Sequence, residues 1–302
     1  MDAERHREGR RMTEASVIIP TYKDWDTLQL CLDCLARQTV APERFEIVVA
    51  NNNKSPEVPA TLRLPPNARV IHATEPGSYA ARNTALREVR SEAVFFTDSD
   101  CLPEADWIEA GLAALAHLGP HDRAAGAIVL FPAGDHWTSA ELYDRVTWLR
   151  QEDYVQAGWG ATANLVTRRA AFDLAGPFNG DTFSGGDREW NQRAQAKGSR
   201  IAYAPAMVIR HPARATFAEL AKKRKRILGG RHRIKTYKGI RRWLPPVGYL
   251  IPSVSATKRI LGDDRLSAWD KARVWWVEYR LRIVTFTETV RLRFLSGTAK
   301  RS

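Results

Sequence analysis

Apolar runs alternate with helix-forming segments over residues 15–118 of this 302-residue chain. β-Branched and aromatic residues fill the runs, and several of them end in polar residues. Alternation at this spacing predicts βαβ units and therefore an α/β fold, with a mostly parallel sheet flanked by helices on both faces. The predicted strands are 15–22, 45–53, 68–73 and 93–100, and the predicted helices are 25–38, 77–91 and 104–118.

The overall composition is that of a globular protein. Hydrophobic residues make up 44% of the sequence, and no apolar stretch reaches the roughly 20 residues that a helix needs to cross a bilayer. Residues 1–13 are charged and carry no apolar segment, so we expect a flexible arm and no secretory signal. Only three cysteines are present, which argues against a disulfide scaffold and favours a reducing cytoplasm.

Two of the cysteines, Cys31 and Cys34, have the C-x-x-C spacing of a redox pair. They also fall in a helix-forming segment in which Leu28, Leu32 and Leu35 share a face with Cys31. Buried thiols behave as small apolar side chains. We therefore interpret both cysteines as packing residues, with a redox role as the alternative.

Polar clusters follow three of the predicted strands. They are Pro20-Thr21-Tyr22, Asn51-Asn52-Asn53 and Asp98-Ser99-Asp100. Ligands of open α/β sheets bind beyond the carboxyl ends of the strands, so we expect the three clusters to line one site. Asp98 and Asp100 also fit a turn that ends a strand, and that interpretation stays open.

The sequence lacks the usual phosphate-binding loops. No G-x-G-x-x-G follows the first strand, and no G-x-x-x-x-G-K-[ST] motif occurs, so neither a Rossmann dinucleotide site nor a P-loop is expected. The phosphate charge of a nucleotide would then have to be balanced by a divalent cation that carboxylates hold. Asp98 and Asp100, two residues apart, suit one metal ligand and one contact to sugar hydroxyls.

A further candidate carboxylate lies in the second half of the chain. The pattern there predicts a strand at 162–168 and a helix at 187–198, with Asp187 directly after Gly185 and Gly186. Asp is favoured as a helix N-cap, whereas a carboxylate beside small residues also suits a general base in a cleft. The local pattern favours the cap, and the base is the alternative.

Six segments resemble, in their order along the chain, the motifs of family 2 glycosyltransferases with the GT-A fold. They read VIIPTY, EIVVANNN, AARNTAL, FFTDSD, GGDREWNQRA and YAPAMVIRH, and the resemblance extends over residues 14–212. The resemblance implies transfer of a sugar from a nucleotide diphosphate sugar, with a UDP-sugar favoured, to a hydroxyl group of a glycan or lipid-linked acceptor. It also implies inversion at the anomeric carbon.

The resemblance implies a role for each matching residue. Pro20, Thr21, Tyr22, Asn51, Arg82, Asp98 and Ser99 would bind the donor nucleotide. Asp100 would bind Mg²⁺ or Mn²⁺ on the diphosphate, His211 would complete the metal site, and Asp187 would be the catalytic base. Apart from the resemblance, Gly185 and Gly186 would leave room for the acceptor, and Trp159 and Trp190 would stack on its sugar rings, although both tryptophans suit a buried core equally well.

Inverting transfer needs a carboxylate that accepts the acceptor's proton and a cation that balances the charge of the leaving diphosphate. Asp187 and Asp100 would supply one each. Two positions depart from the family pattern: Asn51 stands where Asp is usual, and Gly186 precedes the candidate base where Glu is common. An amide still pairs with the edge of a uracil.

Positive charge is confined to the last part of the chain. Residues 216–302 contain 22 Lys or Arg and six Asp or Glu, a net charge of +16, whereas residues 1–215 have a net charge of −4. A shift this sharp predicts an organisational boundary. We therefore expect a flexible arm at 1–13, a GT-A domain at 14–215 and a basic extension at 216–302.

The extension contains a predicted basic amphipathic helix at 265–295. Its apolar stripe consists of Trp269, Ala272, Trp276, Tyr279, Ile283, Phe286 and Val290. Cations with interfacial Trp and Tyr suit an anionic membrane surface. Residues 221–254, where a cationic run precedes an apolar one, favour the membrane, so we expect a peripheral protein at the cytoplasmic face of a membrane. For 265–295 the membrane and packing onto the core fit equally well, and EYRLRIVTF also fits an alternating strand.

Two other classes of protein remain as alternatives. A net charge of +12 fits a nucleic-acid-binding protein, but the acidic strand ends would repel phosphates, so we expect no nucleic-acid partner. Among enzymes, a metal-dependent nucleotidyltransferase on a similar sheet is the alternative.

Overall fold

The computed structural model describes residues 13–182, 184–234 and 246–294. The predicted arm at 1–13 lies almost wholly outside these residues, as does part of the basic extension.

The described residues form two compact units that are discontinuous in sequence. The first unit comprises the described residues up to Val129 with Gln151–Asp181 and Gly186–His211, and the second comprises Leu130–Arg150, Thr182–Gly185 and the described residues from Pro212 onward. The predicted domain boundary at 215 stays a prediction.

Strands and helices follow the predicted alternation. The strands are β1 (Ala15–Thr21), β2 (Phe45–Asn51), β3 (Ala68–His72), β4 (Ala93–Thr97), β5 (Leu102–Pro103), β6 (Arg123–Phe131), β7 (Asn164–Arg168) and β8 (Ile201–Pro212). The helices are α1 (Trp25–Leu35), α2 (Ser78–Glu88), α3 (Trp107–Ala116), α4 (Ser139–Thr147), α5 (Gln151–Gln156), α6 (Ala170–Ala175), α7 (Gly186–Ala196), α8 (Phe217–Ile234), α9 (Val254–Leu261) and α10 (Ala268–Phe294). Short 3-10 helices lie at Pro42–Arg44 and Val247–Leu250.

The strands form an eight-stranded sheet in the order β3-β2-β1-β4-β7-β6-β8-β5. β1 pairs in parallel with β2 and β4, and β2 pairs in parallel with β3. β7 pairs antiparallel with β4 and β6, and β5 pairs antiparallel with β8. The predicted α/β fold is confirmed. Because β1, β2 and β4 run in the same direction, their carboxyl ends and the three polar clusters meet at one edge of the sheet.

Alternate residues of the parallel strands pack on opposite faces of the sheet. Val17 and Phe95 belong to a core formed with α1 and α3. Ile18 and Phe96 belong to a second core formed with α2, α6 and α7. Strands covered by helices on both faces need apolar residues at every position, and this explains their continuous apolar runs.

A buried arginine joins α7 to β6. Arg123 is fully buried and donates hydrogen bonds to the side-chain oxygen of Asn191 at 2.6 Å and to its backbone oxygen at 2.9 Å. It also donates to Ser199 Oγ at 2.5 Å. Burial lowers the pKa of Arg123 to about 10. Because a buried guanidinium needs partners for its donors, these bonds fix the helix that carries Asp187.

Sequence reasoning did not find β6, α4 or α5. The apolar residues of this region follow no sustained period, so no element is predicted there. One readable signal was present: Thr138 and Glu141 form a capping box at the start of α4, and the pattern Thr-x-x-Glu is its sequence signature.

The helix α10 confirms the predicted helix of the extension, and the strand alternative for EYRLRIVTF is wrong. The buried face contains Val274, Leu281 and Leu292 together with threonine and glutamate side chains. The predicted apolar stripe lies on another face: Trp269 is 72% exposed and Trp276 is 55% exposed. Neither α10 nor any other described helix is long and apolar enough to cross a membrane.

The C-x-x-C segment shows no disulfide. Cys31 is buried in the core beside the leucines of α1, and Cys34 is partly buried at the end of the same helix. The packing interpretation therefore fits Cys31 fully and Cys34 in part.

Candidate active site

Asp24 joins the loop after β1 to the loop after β4. Its Oδ1 accepts hydrogen bonds from Thr21 Oγ1 at 2.6 Å and from the Tyr22 backbone N–H at 2.8 Å. Its Oδ2 accepts a hydrogen bond from Ser99 Oγ. Pro20 and Thr21 are buried, whereas Tyr22 is 52% exposed. One carboxylate thus holds two of the polar clusters together and leaves an aromatic ring open to a ligand.

The asparagines after β2 also hold loops in place. Asn51 is fully buried, and its Oδ1 accepts hydrogen bonds from the backbone and side-chain N–H groups of Asn53 at 2.9 and 2.8 Å. Its Nδ2 donates to the carbonyl oxygen of Ser55 at 3.2 Å. Asn52 Oδ1 accepts a hydrogen bond from the N–H of Gly77, which precedes α2. An aspartate at position 51 would keep the acceptor bonds and lose the donor bond.

Arg82 is a buried cation beside the end of β4. It lies on α2, is 2% exposed, and donates from Nη2 to Asp98 Oδ1. Its Nε has no hydrogen-bond partner among the described residues. An unpaired buried donor is costly, and an anionic ligand at this edge would satisfy it.

Asp100 and His211 come together from the loop after β4 and from β8. His211 Nε2 lies 3.6 Å from Asp100 Oδ2, and Cys101 Sγ lies 4.0 Å from Asp100 Oδ1. One ligand atom from each of the three residues lies within 4.8 Å of the others. Burial raises the pKa of the Cys101 thiol, so the carboxylate and the imidazole are the better ligands for Mg²⁺ or Mn²⁺.

Asp187 lies in the first turn of α7, two residues after Gly185, which occupies the N-cap position. Its Oδ1 accepts a hydrogen bond from the Arg188 backbone N–H at 2.8 Å. Gly185 precedes the helix with a φ of +81°, a conformation that glycine adopts without strain. Asp187 therefore bonds a first-turn N–H, as a capping residue does, and also remains partly exposed.

The surroundings of Asp187 raise its pKa. Desolvation is the largest cause; the Arg188 N–H, the Arg82 guanidinium and the Tyr79 hydroxyl oppose it, and Asp98 reinforces it. A carboxylate with a raised pKa is a stronger base when it is ionised. The charge of Arg82 therefore acts on Asp187 as well as on Asp98, which it bonds.

The sequence of this chain matches the model of a known protein family. Residues 16–194, more than half of the chain, match Glycosyl transferase family 2. The chain belongs to this family. Glycosyl transfer is therefore its class of reaction, and the resemblance seen in the sequence is confirmed.

Relatives and solved structures agree with the family. Glycosyltransferase AglE of Haloferax volcanii is 31% identical over 218 residues, which cover 70% of this chain and 71% of that protein. A PGL/p-HBAD biosynthesis glycosyltransferase of Mycobacterium bovis is 29% identical over 54% of this chain and 62% of that protein. The mannosyltransferase PcManGT from Pyrobaculum calidifontis, solved with GDP-Man and Mn²⁺, has a TM-score of 0.58 at 17% identity, covering 95% of this chain and 89% of that one. The last likeness shows the fold.

The two tryptophans that were predicted near the acceptor of this family 2 glycosyltransferase differ in their surroundings. Trp190 is fully buried, stacks on Phe172 with ring centroids 4.6 Å apart, and donates from Nε1 to the carbonyl oxygen of Gly176. A fully buried ring has no face for a sugar, and Trp190 is part of the second core. Trp159 stacks on Tyr154 at 4.0 Å and is partly exposed, so it stays a candidate.

Sequence reasoning missed Asp24 and Tyr79. Asp24 precedes α1, where it has the sequence pattern of an N-cap, but its carboxylate makes no cap bond and turns back to the strand end. Tyr79 lies on α2 among apolar residues of the second core, which conceals its hydroxyl from any pattern of polarity.

We predict that Asp24→Ala loosens the edge of the sheet without unfolding the protein. The substitution removes the hydrogen bond from Ser99 that joins the two loops and the two bonds from Thr21 and Tyr22 within the first loop, so amide hydrogen exchange should become faster in residues 21–24 and 97–101. Asp26→Ala, which removes an exposed carboxylate of the neighbouring helix, is the control and should leave this exchange unchanged. Equal exchange in both variants would show that Asp24 does not hold the loops.

Proposed function

We propose that this chain is an inverting glycosyltransferase that moves a sugar from a nucleotide diphosphate sugar to a hydroxyl group of a glycan or lipid-linked acceptor. The observation that carries the proposal is the grouping around Arg82, which bonds Asp98 and faces Asp187. A cation and carboxylates from three separate segments meet where a parallel sheet binds ligands.

The donor site is proposed at Tyr22, Asn51, Arg82 and Asp98. The exposed Tyr22 ring suits stacking on a nucleobase, and the unpaired Nε of buried Arg82 suits an anionic phosphate or a sugar oxygen. Asp98 Oδ1 holds Arg82, and the carboxyl group stays partly exposed for contacts to hydroxyls. A UDP-sugar is favoured, and the Mn²⁺ complex of PcManGT with GDP-Man supports a nucleotide sugar as the donor class.

Asp100 and His211 are proposed to hold a divalent cation, Mg²⁺ or Mn²⁺. A carboxylate oxygen and an imidazole nitrogen 3.6 Å apart fit such an ion. When bound, the cation would supply charge stabilisation for the leaving diphosphate. His211 is buried in β8, so its imidazole is held in place before any ion binds.

Asp187 is proposed as the general base. In a one-step displacement it accepts the proton of the acceptor hydroxyl while that oxygen attacks the anomeric carbon. Desolvation keeps its pKa raised, and Gly185 and Gly186 add no side-chain bulk on its N-terminal side. Trp159 and these two glycines are proposed to border the acceptor.

We predict that Asp187→Asn keeps the fold and the binding of UDP but loses transfer. An amide cannot accept the proton, and general-base catalysis contributes about 10²- to 10⁴-fold. The melting temperature should not fall, because the substitution removes a desolvated carboxylate. Near-normal turnover in a variant that melts like the wild type would contradict the assignment of the base.

We predict that Asp100→Ala weakens UDP binding in the presence of Mn²⁺ only. The diphosphate loses its bridge to the protein, so calorimetric titration should show reduced affinity with Mn²⁺ and unchanged affinity with EDTA. Glu104→Ala removes an exposed carboxylate four residues away and should behave as the wild type. If wild-type protein binds UDP equally with Mn²⁺ and with EDTA, Asp98-Ser99-Asp100 is a strand-ending turn and the metal proposal is wrong.

The product of the reaction distinguishes a glycosyltransferase from a nucleotidyltransferase. Glycosyl transfer releases a nucleoside diphosphate, whereas nucleotidyl transfer releases pyrophosphate. The membership in family 2 supports the first product.

The basic extension is proposed to bind the anionic surface at the cytoplasmic face of a membrane, near a lipid-linked acceptor. Trp269, Trp276 and Ile283, here called the exposed stripe, recur every seven residues and therefore share a face of α10. The described part of α8 adds exposed cations at Lys222 and Arg226. Exposed cations and aromatic rings in one unit complement a surface of anionic lipid. Each Lys or Arg near such a surface contributes about 1 kcal/mol to the free energy of binding.

We predict that Lys222→Gln, Lys225→Gln and Arg226→Gln together reduce sedimentation with vesicles that contain anionic phospholipid. The neighbouring Arg224 is left in place because it donates to Tyr143 Oη at 2.9 Å and lies 3.7 Å from Glu278 Oε2. Its replacement would disturb packing within the second unit.

The matched control for the vesicle experiment removes the same charge from the first unit. Arg63, Arg87 and Lys197 are exposed there, and their replacement by Gln should leave sedimentation unchanged. Trp269→Ser with Trp276→Ser should remove the part of the binding that persists in high salt, because salt does not screen apolar contacts. Wild-type protein that ignores anionic vesicles at low salt would contradict the membrane proposal.

A further inference from the structure

The ring of Tyr79 packs directly on the backbone of Gly186. A Cβ atom on residue 186 would lie 2.7 Å from Tyr79 Cε2 and 2.8 Å from Tyr79 Cδ2, closer than carbon atoms approach in proteins. Any side chain at position 186 would therefore displace the ring. The fold therefore requires glycine at position 186 for a steric reason.

Tyr79 is held rigidly by its other neighbours. Its side chain is buried, the ring of Phe178 lies 5.8 Å away, and the guanidinium of Arg82 lies 5.5 Å from the ring centroid. The contact with Phe178 packs the Tyr79 ring within the second core, and the contact with Arg82 is a cation–π interaction. The position of Tyr79 is thus fixed by α2 and by the segment after α6.

The hydroxyl of Tyr79 contacts Asp187, the residue that follows Gly186. Its interaction with the backbone N–H of Asp187 lowers the pKa of the hydroxyl, and its interaction with the carboxyl group of Asp187 lowers the pKa of that carboxyl. Burial raises the pKa of the Tyr79 hydroxyl, so it stays protonated at neutral pH and donates to the carboxylate. This donor lies on a helix distant in sequence from the one that carries Asp187.

We propose that Tyr79 is the positioning residue for Asp187: its ring fixes the backbone at Gly186, and its hydroxyl orients the Asp187 carboxylate. The inference rests on the proposed role of Asp187 as the base. It accounts for Gly186, which stands where Glu is common in the family pattern, because the Tyr79 ring occupies the space that a side chain would need.

The expected pH effect follows from the groups that face Asp187. Tyr79 and Arg82 face it from α2, Asp98 faces it from the loop after β4, and the Arg188 N–H belongs to its own helix. Desolvation and Asp98 favour the neutral acid, whereas the other three favour the carboxylate. Loss of the Tyr79 hydroxyl removes one of the groups that favour the carboxylate, so the pKa of Asp187 rises.

The test compares Tyr79→Phe with the wild type by carbon-13 NMR titration of labelled aspartate carboxyl groups in the full chain. The Asp187 signal is assigned from its absence in Asp187→Asn. Phenylalanine keeps the ring on Gly186 and removes the donor, so the titration midpoint should move to higher pH with little change in melting temperature. Tyr203→Phe, which removes a hydroxyl elsewhere in the first unit, is the control and should leave the midpoint unchanged.

An unchanged Asp187 midpoint in Tyr79→Phe would overturn the inference. The titration needs no substrate, so its failure is distinct from a failure of the base assignment, which Asp187→Asn tests through turnover. Once a donor is known, the acid limb of kcat/KM should shift with the midpoint, about tenfold in rate at low pH for each unit of pKa.

A second pair of variants tests the contact between ring and backbone. Gly186→Ala and Tyr79→Ala should each lower the melting temperature, and the double variant should lose less than the sum of the two single losses because the clash is absent. Additive losses in the double variant would show that the ring does not exclude a side chain at position 186, and the steric part of the inference would be wrong.

Discussion

The candidate site depends on one buried cation. Arg82 is almost fully buried on α2, bonds Asp98 at the end of β4, and faces Asp187 at the start of α7. A buried guanidinium without carboxylate partners would be unstable, so the acids and the arginine require one another. Its Nε remains unpaired among the described residues, and the proposed nucleotide-sugar donor would supply an acceptor for it.

The sequence was sufficient to predict the parallel half of the sheet and the edge where polar residues gather. Continuous apolar runs and polar strand ends are local properties, and strands buried on both faces produce them directly. The antiparallel strand β6, by contrast, has no period that distinguishes it from a buried helix. Asp24 and Tyr79 were missed for a related reason: each acts through partners distant in the chain, and a local pattern records only its cap-like or apolar position.

The helix α10 shows why hydrophobic periodicity predicts a helix more securely than it predicts which face is buried. Its exposed stripe carries two tryptophans, whereas the buried face includes Glu278, whose Oε2 accepts a hydrogen bond from Tyr143 at 2.7 Å. Buried polar groups with partners do not appear in an apolar pattern. Large apolar side chains left exposed on a monomer usually mark a surface with a partner, and the surrounding positive charge is the reason for choosing an anionic membrane.

The proposed donor and metal site is tested most directly by a crystal structure of the chain with UDP and Mn²⁺, in which anomalous scattering locates the metal. We predict a manganese peak within about 2.5 Å of a carboxylate oxygen of Asp100 and of an imidazole nitrogen of His211. We also predict the nucleotide base against Tyr22 and a hydrogen bond to Arg82. Manganese bound at other residues, or UDP bound away from this edge of the sheet, would contradict the proposed site.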